Sequence, residues 1–400
     1  MVFVNERVKI IKYAIRDIVV SAEKLEKQGM KMLYLNIGDP IRYDFDTPEY
    51  MKEAIIQAVR DGYNGYSHSK GVEELRSAIV EKEKNYNRIR SLTPEDIIIT
   101  AGISEALAFV MAAIAAQGDE ILIPGPSYPP YISYAKFFGI EPVTYRCIEE
   151  DGWQPDIDDL RSKISGKTRA LVVINPNNPC GSLYSERVIK QMIDIAGEND
   201  LLLLSDEIYD RIVYEDRAVS TASIAGDLPV IGFNGFSKVY LVPGWRLGYM
   251  YFHDPEDKIS ELREHIEKEG RIRLCASAPA QHAGIAALRG PQNHVKELVD
   301  KLRKRRDLTY KRLNEIEGLS CAEPKGAFYA FPKIEVLGNS WKDDKDFVLD
   351  LLAKTGVVVV FGSGFCETYG AGHFRMVFLP PPETLESAFD KIEAFIKSKV

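Results

Sequence analysis

Lys238 and Arg246 are the residues from which chemistry can be argued first. They sit in NGFSKVYLVPGWRLG, Asn234 to Gly248, between the apolar runs Pro229–Phe233 and Trp245–Phe252. A lysine at a strand end condenses with an aldehyde once its surroundings lower its pKa. An arginine beyond the Pro243-Gly244 turn can hold a phosphate dianion through paired N–H bonds. The two together suggest a phosphorylated aldehyde cofactor, pyridoxal phosphate being the obvious one. A lone Ser-Lys would favour a solvated lysine in a turn, so the rest of the chain has to decide.

Other reactive side chains fall just past apolar runs. Gly102, Ile103 and Ser104 follow Ile97–Thr100 and open a helix, where free backbone N–H groups and the Ser104 hydroxyl make an anion cradle. Ser104 could equally be only an N-cap. Tyr128, in GPSYPPY after Glu120–Ile123, could stack on a flat ring or pack on its own loop. Asn175-Pro-Asn-Asn-Pro-Cys-Gly181 follows Arg169–Ile174; its two Asn-Pro steps make a cis proline plausible and turn the Asn178 amide into a cleft. Asp206 follows the buried run Leu201–Leu204, and a carboxylate there needs a cationic or hydrogen-bonding partner. A protonated pyridine nitrogen would serve, with Tyr209 reaching the ring hydroxyl. Glu207 competes for that role but should point the opposite way. The alternative for Asp206 is a helix cap.

The elements that must position these groups alternate. Short, apolar, uninterrupted strands (Ile97–Thr100, Glu120–Ile123, Glu141–Arg146, Arg169–Ile174, Leu201–Leu204, Pro229–Phe233) are separated by helices such as Ser104–Ala116 and Ser185–Glu198. That is the pattern of a mainly parallel sheet covered on both faces. Ligands of such sheets bind beyond the carboxyl ends of the strands, where the odd residues collect. Upstream, an amphipathic helix is expected over Val8–Lys31, a helix from Asp46 to Arg60 capped by Thr47, and one over Val72–Tyr86. Downstream, helices Pro255–Gly270, Pro279–Leu288 and Pro291–Ile316 lead to an α+β layer. Its strands are Gly326–Phe331, Val357–Phe361 and His373–Phe378, and its helices Asp344–Lys354 and Pro382–Lys399. The expected division is a large domain over 46–288 and a small one from 1–45 and 289–400.

The 400 residues are too many for one ordinary core. A net charge of −8 without a basic block disfavours nucleic acid, so anionic substrates need local arginines. Five scattered cysteines without CxxC spacing fit a reducing cytoplasm better than disulfides or zinc. The N-terminal stretch has no apolar core of a signal peptide, and Ala106–Ala116 is too short to span a membrane. A nicotinamide dehydrogenase would need GxGxxG after its first strand, and none is present.

NPNNPCG, SDEIYD, FSKVYLVPGWRLGY and HFRMVF, in this order, resemble the class I, fold-type I pyridoxal-phosphate aminotransferases. The resemblance implies an α/β fold: a mainly parallel seven-stranded sheet covered by helices, and a smaller α+β domain from both termini. It makes Lys238 the Schiff-base lysine and Asp206 the partner of the pyridine N–H. Tyr209 and Asn178 become contacts of the ring oxygen, and Tyr128 the stacking aromatic. Arg246, Ser104 and the amides of Gly102 and Ile103 clamp the phosphate. Tyr66 resembles the tyrosine that reaches a neighbouring subunit's phosphate, which implies a homodimer with shared sites. Arg375 resembles the arginine that binds the substrate α-carboxylate, beside Gly38 and Asn178. Gly235 stands where many members carry a phosphate-binding serine, so Ser237 either replaces it or one hydroxyl is lost. Cys180 replaces a usual threonine.

LNIGDP, YAIRD and RLCASAPAQHA look most like the alanine (glutamate–pyruvate) group, with aspartate or aromatic aminotransferases as alternatives. Arg16 and Arg273, with Arg42 a weaker third, are candidates for glutamate's second carboxylate. A C–S β-lyase or racemase on the same scaffold stays open. A cofactor-binding regulator would be expected to carry a helix-turn-helix segment, and no such pattern precedes residue 46.

Overall fold

Alternation within the buried strands dictates the architecture of this computed structural model, which describes residues 4–11, 13–338 and 340–399. Ile97 and Ile99 enter one apolar cluster and Ile98 the other; Leu203 and Leu204 divide the same way. Both faces of the sheet are therefore covered, and each leucine buried contributes roughly 1.5–3 kcal/mol.

Among the described residues fifteen strands are numbered in chain order. The first, β1 (Leu33–Tyr34), lies apart from the main sheet. The main sheet holds β2 (Ile97–Thr100), β3 (Glu120–Gly125), β4 (Glu141–Ile148), β5 (Gln154–Pro155), β6 (Thr168–Ile174), β7 (Leu202–Asp206), β8 (Val230–Gly235) and β9 (Gly248–His253), in the order β2-β9-β8-β7-β6-β3-β4-β5. From β8 across to β4 the neighbours run parallel, and β9 is antiparallel to both its neighbours. Seven strands were expected; the eighth is the two-residue β5, an antiparallel edge ending in proline, where a missing donor costs nothing.

The remaining strands are two to four residues long: β10 (Leu319–Ser320), β11 (Tyr329–Ala330), β12 (Lys333–Ile334), β13 (Val357–Val358), β14 (Val360–Phe361) and β15 (Phe374–Val377). β1 pairs in parallel with β13, Leu33 opposite Val357, which fastens the early chain to the late chain. β15 lies between β14 and β11, with Arg375 opposite Val360 and Val377 opposite Tyr329.

Three expected helices differ, each because a distant contact outcompetes local preference. The Val8–Lys31 segment forms two helices, Glu6–Lys9 and Ala14–Glu26; Lys12 lies outside the described residues. Between them Tyr13 is non-helical and its hydroxyl lies 3.3 Å from that of Tyr128. Thr47 does not cap the helix Glu49–Arg60, since its hydroxyl donates to the Leu241 carbonyl at 2.7 Å. The Val72–Tyr86 helix is α-helical over Glu73–Lys82 and then widens into a π turn over Glu83–Asn87. That turn lets Asn87 donate to both Glu83 (2.6 Å) and Asp210 (3.0 Å) in a buried network shared with Lys82, Asn234 and Tyr249.

Candidate active site

The carboxyl ends of β3, β6, β7 and β8 open on one cleft of about 500 Å³, closed above by residues preceding β2 and following β10. Lys238 lies on its floor, three residues past β8. Its ammonium nitrogen donates to the Gly38 carbonyl at 2.7 Å. Burial pulls the amine from 10.5 down to about 8; Arg375 and Arg246 push the same way, against Asp39 and Asp206. The amine is thus poised for nucleophilic chemistry near neutral pH.

Asp206 ends β7 and is almost wholly buried. Its carboxylate accepts from the Tyr131 hydroxyl (2.9 Å) and the Ile208 amide (3.2 Å), and burial raises it to about 6. Glu207 points away, to Ser205, Ser220 and Tyr251 behind the sheet. This is the opposition that strand alternation predicts.

One end of the cleft is built for an anion. Ser104 and Ile103 stand in the first turn of the helix Ile103–Ile114 and line the cleft with Arg246 and Ser237. Gly102 lies behind them with φ +78°, and a Cβ there would come within 2.6 Å of the Arg246 guanidinium. Only glycine lets that guanidinium settle on the helix start, where it donates to the Ala101 carbonyl at 3.2 Å. Gly235 also lines the cleft; a side chain there would press on Gly248 and Leu247.

The other end holds a buried cation. Arg375 is 1 % exposed, and among the described residues no acid pairs with it. It donates to the Asn178 side-chain oxygen at 2.9 Å and to the Asn36 carbonyl, while its Nε has no partner. Its guanidinium lies over the rings of Tyr329 (4.5 Å) and Phe365 (4.8 Å). A buried cation without a counter-charge costs several kcal/mol and calls for an anion from outside. Tyr128 and Tyr209 also line the cleft, and Tyr209 shares a 2.8 Å hydrogen bond with Tyr329.

Arg16 and Arg42 line the cleft and are exposed. Arg273 does not line it: its guanidinium is held by Glu105 at 2.6 Å and by the Ser69 and Ile99 carbonyls, so as a substrate ligand it is already spent. Tyr66 is 83 % exposed and outside its own chain's cleft. Sequence reasoning missed Tyr131, whose signal was its position one helical turn after Tyr128. It also missed Tyr329 and Tyr13, which only strand register and the non-helical residue 13 bring in.

These groups fit pyridoxal phosphate: an amine of lowered pKa, a buried carboxylate, a flat aromatic wall and a glycine-lined anion cradle beside an arginine. Residues 31–392 match the family described as aminotransferase class I and II. The chain belongs to that family. It is 41 % identical to the alanine aminotransferase of Mycobacterium tuberculosis H37Rv over 94 % of this chain and 88 % of that one. It is 38 % identical to the glutamate-pyruvate aminotransferase AlaA of Escherichia coli K12, over 96 % and 95 %. Among solved structures it superposes on an alanine aminotransferase from Pyrococcus furiosus with a TM-score of 0.97 and 54 % identity, covering 99 % and 100 % of the two chains. The fold is that of fold-type I aminotransferases.

Proposed function

We propose that this chain is a pyridoxal-phosphate-dependent aminotransferase that takes L-alanine and 2-oxoglutarate to pyruvate and L-glutamate in two alternating halves. The observation that carries the reaction class is Arg375, a buried, unpaired cation in the cleft that holds Lys238. The alanine preference rests on the likeness to relatives named for that substrate.

Lys238 would be the attachment point for the cofactor's aldehyde, and its free amine would be the base that takes the proton from the substrate Cα. Asp206 keeps a proton on the partner that faces it, held in place by Tyr131. Arg375 grips the α-carboxylate, with Asn178 fixing the plane of the guanidinium, and so orients the Cα–H bond. Arg246, Ser104, Ser237 and the amides of Gly102 and Ile103 would hold the phosphate, Tyr128 the ring face, and Tyr209 and Asn178 the ring oxygen. When bound, the cofactor supplies an electron sink for the charge left on Cα. Gly38 lets Tyr329 pack against that edge of the cleft, where its carbonyl would lie beside the substrate. For glutamate's distal carboxylate, Arg16 and Arg42 are the cations at hand.

Three remaining expectations are proposed, each on its own observation. A homodimer gives the exposed Tyr66 a phosphate to reach in a second copy. A large domain at 46–288, with a small one from 1–45 and 289–400, matches the split between the long sheet and the short strands. All five cysteines are free, as a reducing cytoplasm would keep them, and no helix among the described residues is long and apolar enough to cross a membrane.

The test is a panel of amino donors with 2-oxoglutarate, with pyruvate release from cystathionine run beside it. Alanine should lead the panel. A preference for aspartate or aromatic donors would overturn the alanine assignment, and oxo-acid-independent pyruvate release would overturn the reaction class.

A further inference from the structure

Tyr329 is used by none of the roles above, yet it touches three of the parts that carry them. Its strand β11 pairs with β15 so that Tyr329 faces Val377, which puts its ring diagonal to Arg375 on the same face. The ring lies 4.5 Å from the Arg375 guanidinium carbon. Its hydroxyl lies 2.8 Å from that of Tyr209, and among the described residues this is the only hydrogen bond either hydroxyl makes. On its other side the hydroxyl is pressed against Gly38: a Cβ there would sit 2.2 Å from the Tyr329 oxygen. The Gly38 carbonyl in turn accepts from Lys238.

We infer that Tyr329 is a positioning residue that sets the direction of the Tyr209 hydroxyl proton, and so ties the carboxylate seat at Arg375 to the proton held on the Lys238 nitrogen. This deepens the function proposed above and rests on it, since it takes Tyr209 as the contact of the cofactor's ring oxygen. Burial keeps both phenols protonated at neutral pH. Two hydroxyls facing each other can spend only one proton between them. The Arg375 guanidinium lies over the Tyr329 ring, and a cation on that face polarises the phenol and makes its hydroxyl the better donor of the pair. Tyr329 therefore donates to Tyr209, and the Tyr209 proton is left for the cleft. A donor at the ring oxygen stabilises its anionic form and lowers the proton affinity of the conjugated Lys238 nitrogen. Donation from Tyr329 strengthens that donor, as hydrogen bonds in series do.

The test is a pH titration of the visible absorbance of wild-type, Tyr329→Phe and Tyr209→Phe holoenzymes, with kcat and KM for the amino donor. In Tyr329→Phe the spectral transition should rise by about half a unit to one unit, and in Tyr209→Phe by more. kcat should fall while KM stays within about threefold, because Arg375 keeps its grip. If Tyr209→Phe moves the transition and Tyr329→Phe leaves it within about 0.2 unit, the inference is wrong and the proposed function stands. If neither variant moves it, the placement of Tyr209 falls and the inference with it. If the wild type acquires no visible band with pyridoxal phosphate, the proposed function itself fails.

Discussion

Replacing Arg375 by methionine separates a functional cation from a structural one. On the activity side, the variant loses a charge-assisted, two-point grip on the substrate carboxylate. Truncating one partner of such a buried pair costs about 2–5 kcal/mol, or about 30-fold to about 4,000-fold in kcat/KM. On the stability side the apo-protein sheds a buried cation that no acid balances among the described residues, worth several kcal/mol. Against that, the Asn178 oxygen and the Asn36 carbonyl lose their donor, at about 1–3 kcal/mol each. The two sides nearly cancel, so the melting temperature of the apo-protein should move by less than about 5 °C. The control is Phe365→Ala, which removes a fully buried ring beside the same guanidinium and should cost about 3–5 kcal/mol of stability. Steady-state kinetics on the holoenzymes and calorimetry on the apo-proteins give both numbers. An Arg375→Met enzyme within fivefold of wild type, or an apo-protein that melts as early as Phe365→Ala, would refute the reasoning.

Three further outcomes are expected. The rate of cofactor loading onto the apo-enzyme should climb about tenfold per pH unit and level off near pH 8, because only the neutral Lys238 amine attacks and burial has brought it down to about 8; stopped-flow absorbance reads this, and a climb continuing to the ordinary lysine range would contradict it. By the same shift, the amine's contribution to apo-stability should grow between pH 8 and 10.5, where the unfolded chain holds a proton that the folded one has released. Gly102→Ala should weaken cofactor affinity at least about tenfold, since its Cβ displaces the Arg246 guanidinium from a strained backbone position; equilibrium dialysis showing unchanged affinity would remove Arg246 from the phosphate end. Asp206→Ala should retain part of the bound cofactor yet lose on the order of a thousandfold in kcat, and normal turnover would show that no protonated partner is needed there.

How much of this was legible depended on the kind of constraint. The strands were, because burial on both faces forces unbroken apolar runs such as Leu202–Leu204. The residues at their ends were too, since Asp206, Asn178 and Lys238 break those runs where a parallel sheet opens. The π turn at Glu83–Asn87 was not, because Asp210 and Tyr249, far along the chain, make it worthwhile. Arg273 looked as available as Arg16 from sequence, and only tertiary contact shows Glu105 holding it. Tyr329 carried no local signal, as its place depends on the register of β11 against β15.

The bond from Arg375 to the Asn36 carbonyl joins residues 339 positions apart. At about 5–20 residues per second, a ribosome takes roughly 20–70 s to travel between them. β1 has no strand partner until β13 emerges, and the cleft around Lys238 lacks its Arg375 wall until that later segment does. A nascent chain therefore carries Lys238 beside an incomplete cleft. The cation that would select a substrate carboxylate therefore reaches the cleft only after the lysine it serves has been made.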